Sequence, residues 1–318
     1  MNKNSNLSRN VEKFIYKFET LYSKPLYELT PNEARNFLDD LQNQTSIAAN
    51  SKIRDRMTDT GYGQINVRIV SPQNIHEKLP AILYLHGGGW ILGNKTTHNY
   101  MIRILSEYSK SIVIFPEYSL SPEAAYPVAI NQIYSLLKLI YNNSEEFNID
   151  KNRIAIAGDS AGGNMAAVIT IMNKREDNIP LKYQALFYPV ASSDMNTKSY
   201  KDFHNGPWLS KKAMEWFWDA YAPDKQIRSS IYISPLNSSI DELQGLPDTL
   251  IITAENDVLR DEGEEYARKL DRAGINVTSV RIGGTIHDFL MLNALKNTNE
   301  TKDTLYMAGK LIERALYS

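Results

Sequence analysis

From about residue 60 onward, short apolar runs rich in β-branched residues alternate with amphipathic helical stretches. The runs are "QINVRIV" (64–70), "AILYL" (81–85), "SIVIF" (111–115), "RIAIA" (153–157), "YQALFY" (183–188), "TLIIT" (249–253) and "NVTSVRI" (276–282). Several are apolar throughout, the pattern of parallel strands covered on both faces rather than strands with one wet face. Helical stretches fall between them near 98–110, 123–142, 161–175, 261–273 and 301–316. This alternation predicts an α/β fold with a largely parallel sheet, whose ligands bind beyond the carboxyl ends of the strands.

Two segments break the rhythm. Residues 8–45 read as a helical pair: Phe14, Ile15, Phe18 and Leu21 recur at spacings of three and four, and Thr30, Pro31 and Glu33 spell a helix start. About 60 residues separate "YQALFY" from "TLIIT", too many for an ordinary connection. They hold "GPWLSKKAMEWFWDAY", a helix with Ser210 as N-cap, and three of the four tryptophans. Such an insertion is placed to cover a site.

Composition narrows the function classes. Across 318 residues, 42% are hydrophobic and 23% charged, which is globular, and a net charge of -2 carries no electrostatic footprint for nucleic acid. The absence of cysteine excludes a disulfide framework, a cysteine-based zinc site and a cysteine nucleophile. The polar start "MNKNSNLSRN" lacks the apolar core of a signal peptide, and no run approaches the roughly 18 apolar residues of a membrane span. The expectation is a cytoplasmic protein.

Two glycine motifs carry the chemistry. In "LYLHGGGWILG" (83–93) a strand runs into three glycines, suited either to dinucleotide phosphates or to a loop whose bare N–H groups hold an oxyanion. The next helix starts only near His98, so no helix N-terminus opens on these glycines as a pyrophosphate site requires. "RIAIAGDSAGGNMAAVITIM" runs strand, turn, helix, with Ser160 at the centre of G-x-S-x-G. That context lifts a serine hydroxyl above the strand end and aims the N–H of Ala161 at the same place.

A serine hydroxyl needs a base, and the base needs an acid to orient it. Only His204 and His287 follow Ser160; His204 lies in the insertion, whereas His287 follows the last predicted strand. "TLIITAENDVLRDEG" offers Glu255, Asp257 and Asp261 as the acid. Asp261 caps or begins the next helix; Asp257, in the turn itself, is preferred over Glu255.

With these motifs in place the chain resembles the hormone-sensitive-lipase-like branch of the α/β-hydrolases. The resemblance rests on "HGGGW" (86–90), "YSLSPEAAYPVAI" (118–130), "GDSAGG" (158–163), "DVLRDEGEEYA" (257–267) and "IHDF" (286–289), in the family's order. It implies one α/β-hydrolase domain over 1–318 with a mostly parallel eight-stranded sheet, and a helical cap from 1–50 and about 190–245. It implies a carboxylic ester hydrolase without metal or organic cofactor. Ser160 would be nucleophile, Asp257 acid and His287 base, with the N–H groups of Gly88, Gly89 and Ala161 as oxyanion donors and Gly87 making the turn. By family analogy a homodimer would form through the last strand and helix. Two positions depart from the pattern. Asp288 stands where the family often has glycine, so an extra carboxylate either raises the basicity of His287 or faces water. Ser119 stands where it commonly has arginine.

The partner expected is a small-molecule ester with a short acyl chain; Trp90, Phe203, Trp208, Trp216, Phe217, Trp218 and Phe289 are candidate walls of its pocket, and Trp90, Asp159, Trp208 and Phe289 are the substrate-binding candidates. An amidase such as an aryl formamidase, using the same triad, is the alternative. A non-catalytic receptor on the same fold would lack the base, which is present.

Overall fold

The computed structural model describes residues 6–22, 24–42, 50–73 and 77–318. The helical expectation for 43–45, and the parts of the expected cap at 1–5, 23 and 43–49, lie outside the described residues.

Eight strands form one sheet: β1 (Ser51–Asp59), β2 (Gln64–Pro72), β3 (Leu79–Leu85), β4 (Ile112–Glu117), β5 (Ile149–Asp159), β6 (Leu181–Phe187), β7 (Asp248–Asn256) and β8 (Val277–Ile286), in the order β1-β2-β4-β3-β5-β6-β7-β8. β2 pairs antiparallel with β1 and β4, and every pairing from β4 to β8 is parallel. Every residue of β3 is buried, which requires cover on both faces and explains its unbroken apolar run.

The helices are α1 (Arg9–Leu21), α2 (Pro31–Gln42), α3 (Asn99–Ser109), α4 (Val128–Asn142), α5 (Ser144–Phe147), α6 (Ala161–Arg175), α7 (Lys198–Asp202), α8 (Lys211–Tyr221), α9 (Ile240–Leu243), α10 (Arg260–Arg272) and α11 (Asn299–Tyr317). α3 packs against α11, α4 against α6, and α10 against β7 and β8. The helix starts at Thr30 and Ser210 form as the sequence predicts. Thr30 and Glu33 exchange backbone and side-chain hydrogen bonds, and the Ser210 hydroxyl accepts from the Ala213 N–H. Val11 and Ile15 bury the inner face of α1, whereas Leu21 is exposed.

β1 has no counterpart among the predicted runs. Its sequence "SKIRDRMTD" is dominated by charge and most of it is exposed, because it has β2 on one side only. Such charges guard an edge strand against pairing with other chains. The backbone ladder to β2 runs the whole length of the strand, and Asp55 adds an ion pair to Arg68 across it.

The parallel strands bring their carboxyl ends to one edge. β3 leads into the three glycines, β5 into Ser160, β7 into Asp257 and β8 into His287. The first turn of α6 presses against the end of β3: a Cβ on Gly162 would lie 2.0 Å from the Leu85 carbonyl oxygen. That contact is with backbone and cannot yield by a rotamer change. Gly162→Ala is therefore expected to cost about 2–3 kcal/mol of stability, read as a lowered denaturation midpoint; an unchanged midpoint would show that this approach tolerates a methyl group.

Candidate active site

No loop separates β5 from α6. Ser160 is the single hinge residue, at φ 53° and ψ −119°, a conformation rarely adopted by a residue with a side chain. The neighbouring chains hold it there: its N–H donates to the Phe187 carbonyl at 2.9 Å, and its carbonyl accepts from Asn164 at 3.0 Å and Val190 at 3.2 Å. The turn points its hydroxyl at His287, whose Nε2 lies 2.8 Å from Ser160 Oγ. On the other side of the ring, Nδ1 lies 2.7 Å from Asp257 Oδ2. All three side chains are buried. Asp257 is fixed in turn by the Leu259 N–H, which donates to Oδ1 at 3.0 Å.

The competing carboxylates are engaged elsewhere. Glu255 accepts from the Gly284 N–H at 2.6 Å, and Asp261, in the first turn of α10, accepts from the Ser199 N–H at 2.7 Å. His204 is exposed and contacts the Lys201 carbonyl.

The glycine loop also faces this point. Gly88 (φ 110°) and Gly89 (φ 59°), followed by Trp90 (φ 60°), make the turn. Gly87 has another reason to lack a side chain: a Cβ there would lie 2.3 Å from Asp159 Oδ2. Among the described residues, no acceptor is occupied by the N–H groups of Gly88, Gly89 or Ala161.

A buried polar lattice supports the loop from below. Asp159 accepts from the Gly87 N–H at 3.1 Å and the Tyr84 hydroxyl at 2.7 Å, and its other oxygen faces His98 Nε2 at 3.3 Å. The burial of Asp159 works against its charge, but His98 and Tyr84 outweigh it and hold the carboxyl below the usual range. His86 is driven the other way. Burial and then the neighbouring His98 push its imidazole down to about 3, so it stays neutral. The Tyr118 hydroxyl donates to the His86 carbonyl at 2.8 Å, and the two rings stack with centroids 4.1 Å apart.

Ser119, at the position of the expected arginine, is bound instead to Gln132. An arginine does arrive, from α2. Arg35 donates to the Ile91 carbonyl at 2.9 Å and the Ser121 carbonyl at 3.0 Å while it pairs with Glu123. One helical turn on, Asp39 accepts from Asn94 at 2.7 Å, and Gln42 then donates to the Thr97 carbonyl at 2.9 Å. One face of α2 thus grips the chain just after the glycine loop. Sequence reasoning missed Arg35, because nothing local links it to residues 56 and 86 positions away. It also missed Tyr84 and His98; a lone tyrosine inside the aliphatic β3 was the available signal.

Ser160, His287, Gly88 and Gly89 open onto a cavity of about 850 Å³. Ile15, Phe18, Phe37, Trp208 and Phe217 line its other sides. Of the candidate wall residues Trp208 and Phe217 line it, and of the four substrate-binding candidates Trp208 alone does. Trp90 is buried, stacked on Tyr221 with ring centroids 4.1 Å apart and planes 2° apart, against Trp218. Asp159 lies beneath the loop, and Phe289 is buried beside Tyr188. These three serve packing and loop support rather than the cavity wall.

Asp288 does not face bulk water. It is mostly buried, at φ 63°, and its Oδ2 accepts from the Trp208 indole N–H at 2.9 Å. Its Oδ1 lies 3.4 Å from His287 Nε2. Burial alone would lower the pKa of His287; the carboxylates of Asp257 and Asp288, with Asp159 behind, outweigh it and hold the imidazole above its ordinary value.

Comparison with known proteins agrees with this geometry. A model of the α/β-hydrolase fold matches residues 82–291. A putative α/β hydrolase of Acanthamoeba polyphaga mimivirus is 40% identical over 309 residues, covering 97% of this chain and 88% of its own. The chain belongs to the hormone-sensitive-lipase-like carboxylesterases of the α/β-hydrolase family. Carboxylesterase NlhH of Mycobacterium tuberculosis is 33% identical over 259 residues, 81% of each chain. The crystal structure of a thermostable esterase from Pseudomonas putida superposes with a TM-score of 0.96 at 39% identity, covering 98% of both chains. The protein is accordingly a carboxylic ester hydrolase. No helix among the described residues is long and apolar enough to cross a membrane.

The raised pKa of His287 gives a pH test of the expectation that it is the base. A histidine base works only when neutral, so activity is full above its pKa and is lost as pH falls through it. The acid limb of kcat/KM should therefore have its midpoint above about 6.5, the ordinary histidine value. A midpoint below 6 would contradict the surrounding negative charge.

Proposed function

We propose that this carboxylesterase hydrolyses short-chain acyl esters through an acyl-enzyme on Ser160. The observation that carries the reading is the continuous chain from Ser160 Oγ through His287 to Asp257, with contacts of 2.8 and 2.7 Å. His287 Nε2 takes the serine proton as Oγ attacks the ester carbonyl. Asp257 holds the ring through Nδ1–H and stabilises the imidazolium that forms. The carbonyl oxygen becomes an oxyanion held by the N–H groups of Gly88, Gly89 and Ala161, each contributing on the order of 3 kcal/mol in the transition state. The intermediate collapses as His287 gives its proton to the departing alcohol. Water then repeats the cycle on the acyl-enzyme and releases the acid.

The described residues between Asn6 and Gln42, together with about 190–245, act as the cap. Phe18 and Phe37 from the first segment, and Trp208 and Phe217 from the second, line the cavity that Ser160 opens onto. A Cβ on Gly89 would lie 2.1 Å from the Phe217 ring, so Phe217 seats directly on the oxyanion loop and limits the space beside it. Aromatic walls at this distance favour compact acyl groups.

Three variants and one substrate series test this reading. Ser160→Ala should remove nearly all p-nitrophenyl acetate turnover with the fold intact by circular dichroism; a rate near wild type would sink the nucleophile. Asp257→Asn should lower kcat by about 10⁴-fold, as the tautomer is lost, while Glu255→Gln should change it little; the reverse order would move the acid to Glu255. In a p-nitrophenyl series from acetate to laurate, with one aryl formamide included, kcat/KM should peak at the short esters. A peak at laurate would refute the short-chain preference, and a faster formamide would favour the amidase.

A further inference from the structure

The residue after the base is placed to act on it. β8 ends at Ile286, so His287 and Asp288 lie in the turn beyond it, and the positive φ of Asp288 swings its side chain back toward the ring. One carboxylate oxygen is taken by the Trp208 indole N–H at 2.9 Å; the other, buried and without a hydrogen-bond partner, lies 3.4 Å from His287 Nε2 on the cavity side. Trp208 is itself held from outside, its ring against Phe14 at 5.5 Å and Phe18 at 4.9 Å, both on α1.

We propose that Asp288 is a positioning residue for the base: Trp208 anchors its carboxylate so that Nε2 faces a second acidic partner, and α1 sets this arrangement through Trp208. The proposal rests on His287 being the base. A neutral imidazole turns a lone pair toward Ser160 from Nε2, and an adjacent carboxylate oxygen repels it. Once the serine proton has moved, Nε2–H is a donor and the same oxygen attracts it. Asp288 therefore favours the imidazolium of the transition state, and the cost is a base that protonates at higher pH.

The other groups facing His287 are accounted for. Asp257 contacts Nδ1 and Asp159 sits behind the serine; the Tyr188 ring meets the imidazole edge-on at 4.9 Å and carries no charge. Glu262, behind Asp257, is fully buried, and its carboxyl is pushed well above the usual range by that burial. Burial also pushes Asp288 up, while His287 and the Trp208 N–H oppose it.

The test is the acid limb of kcat/KM for wild type, Asp288→Asn, Asp288→Gly and Trp208→Phe. Asparagine and glycine both accept a positive φ, so neither disturbs the turn. Removing the charge should move the limb to lower pH by about 1 unit or more, and lower kcat on the alkaline plateau with little change in KM. Trp208→Phe keeps the ring against α1 but removes the N–H that favours the charged carboxylate; its limb should move the same way by less. Superimposable limbs in wild type and both Asp288 variants would overturn the proposal, as would a shift to higher pH. A Trp208→Phe limb identical to wild type would overturn the part played by the Trp208 N–H, and with it the link to α1 that runs through it. A failure of the triad itself reads differently, as turnover that survives Ser160→Ala.

Discussion

A serine held in the left-handed region between a strand and a helix is the constraint on which the rest depends. Relaxed to an ordinary conformation, Ser160 would not bring its hydroxyl within reach of His287, and the Ala161 N–H would not face the same point. The strain is balanced by close packing around the turn. Gly158 and Gly162 let α6 and the ends of β3 and β5 approach to distances that no side chain allows. Four strand ends then meet over one small volume, and four chemically distinct groups converge without any long loop between sheet and site.

Charge is handled in two layers. Beneath the glycine loop, Asp159 keeps its charge because Tyr84, His98 and the Gly87 N–H all favour it, and His86 stays neutral because it is buried beside a second histidine. These groups hold the loop. Above the loop, His287 contacts the carboxylates of Asp257 and Asp288 and is biased toward its charged form. A histidine in such surroundings keeps its proton to a higher pH than a free imidazole. The α2 contacts through Arg35, Asp39 and Gln42 join the N-terminal segment to the exit of the glycine loop, so the same segment that lines the cavity also braces the loop.

Much of this was legible in the chain. Apolar strand runs, the G-x-S-x-G turn and the order of serine, acid and histidine follow from local physics: burial on both faces, a steric turn, and strand ends that share an edge. What escaped is what depends on distant partners. β1 escaped because an edge strand has no apolar face to advertise itself. Trp90 read as a cavity wall because it follows the glycines, yet its positive φ turns it into the core against Tyr221. Arg35 carried no signal, since its acceptors are backbone carbonyls far along the chain. Asp288 stood out only as a departure from a pattern, and its meaning came from Trp208, 80 residues away.

The central claim is that Ser160 is the one nucleophile, activated by His287. Treatment with diethyl p-nitrophenyl phosphate followed by peptide mass spectrometry tests it most directly, because the reagent traps an activated serine covalently and cannot be turned over quickly. The account predicts a single diethylphosphoryl adduct on the peptide "DSAGG" at Ser160, formed with loss of esterase activity in step, and none in His287→Ala. An adduct on another residue with activity lost, or full inactivation with Ser160 unmodified, would contradict it.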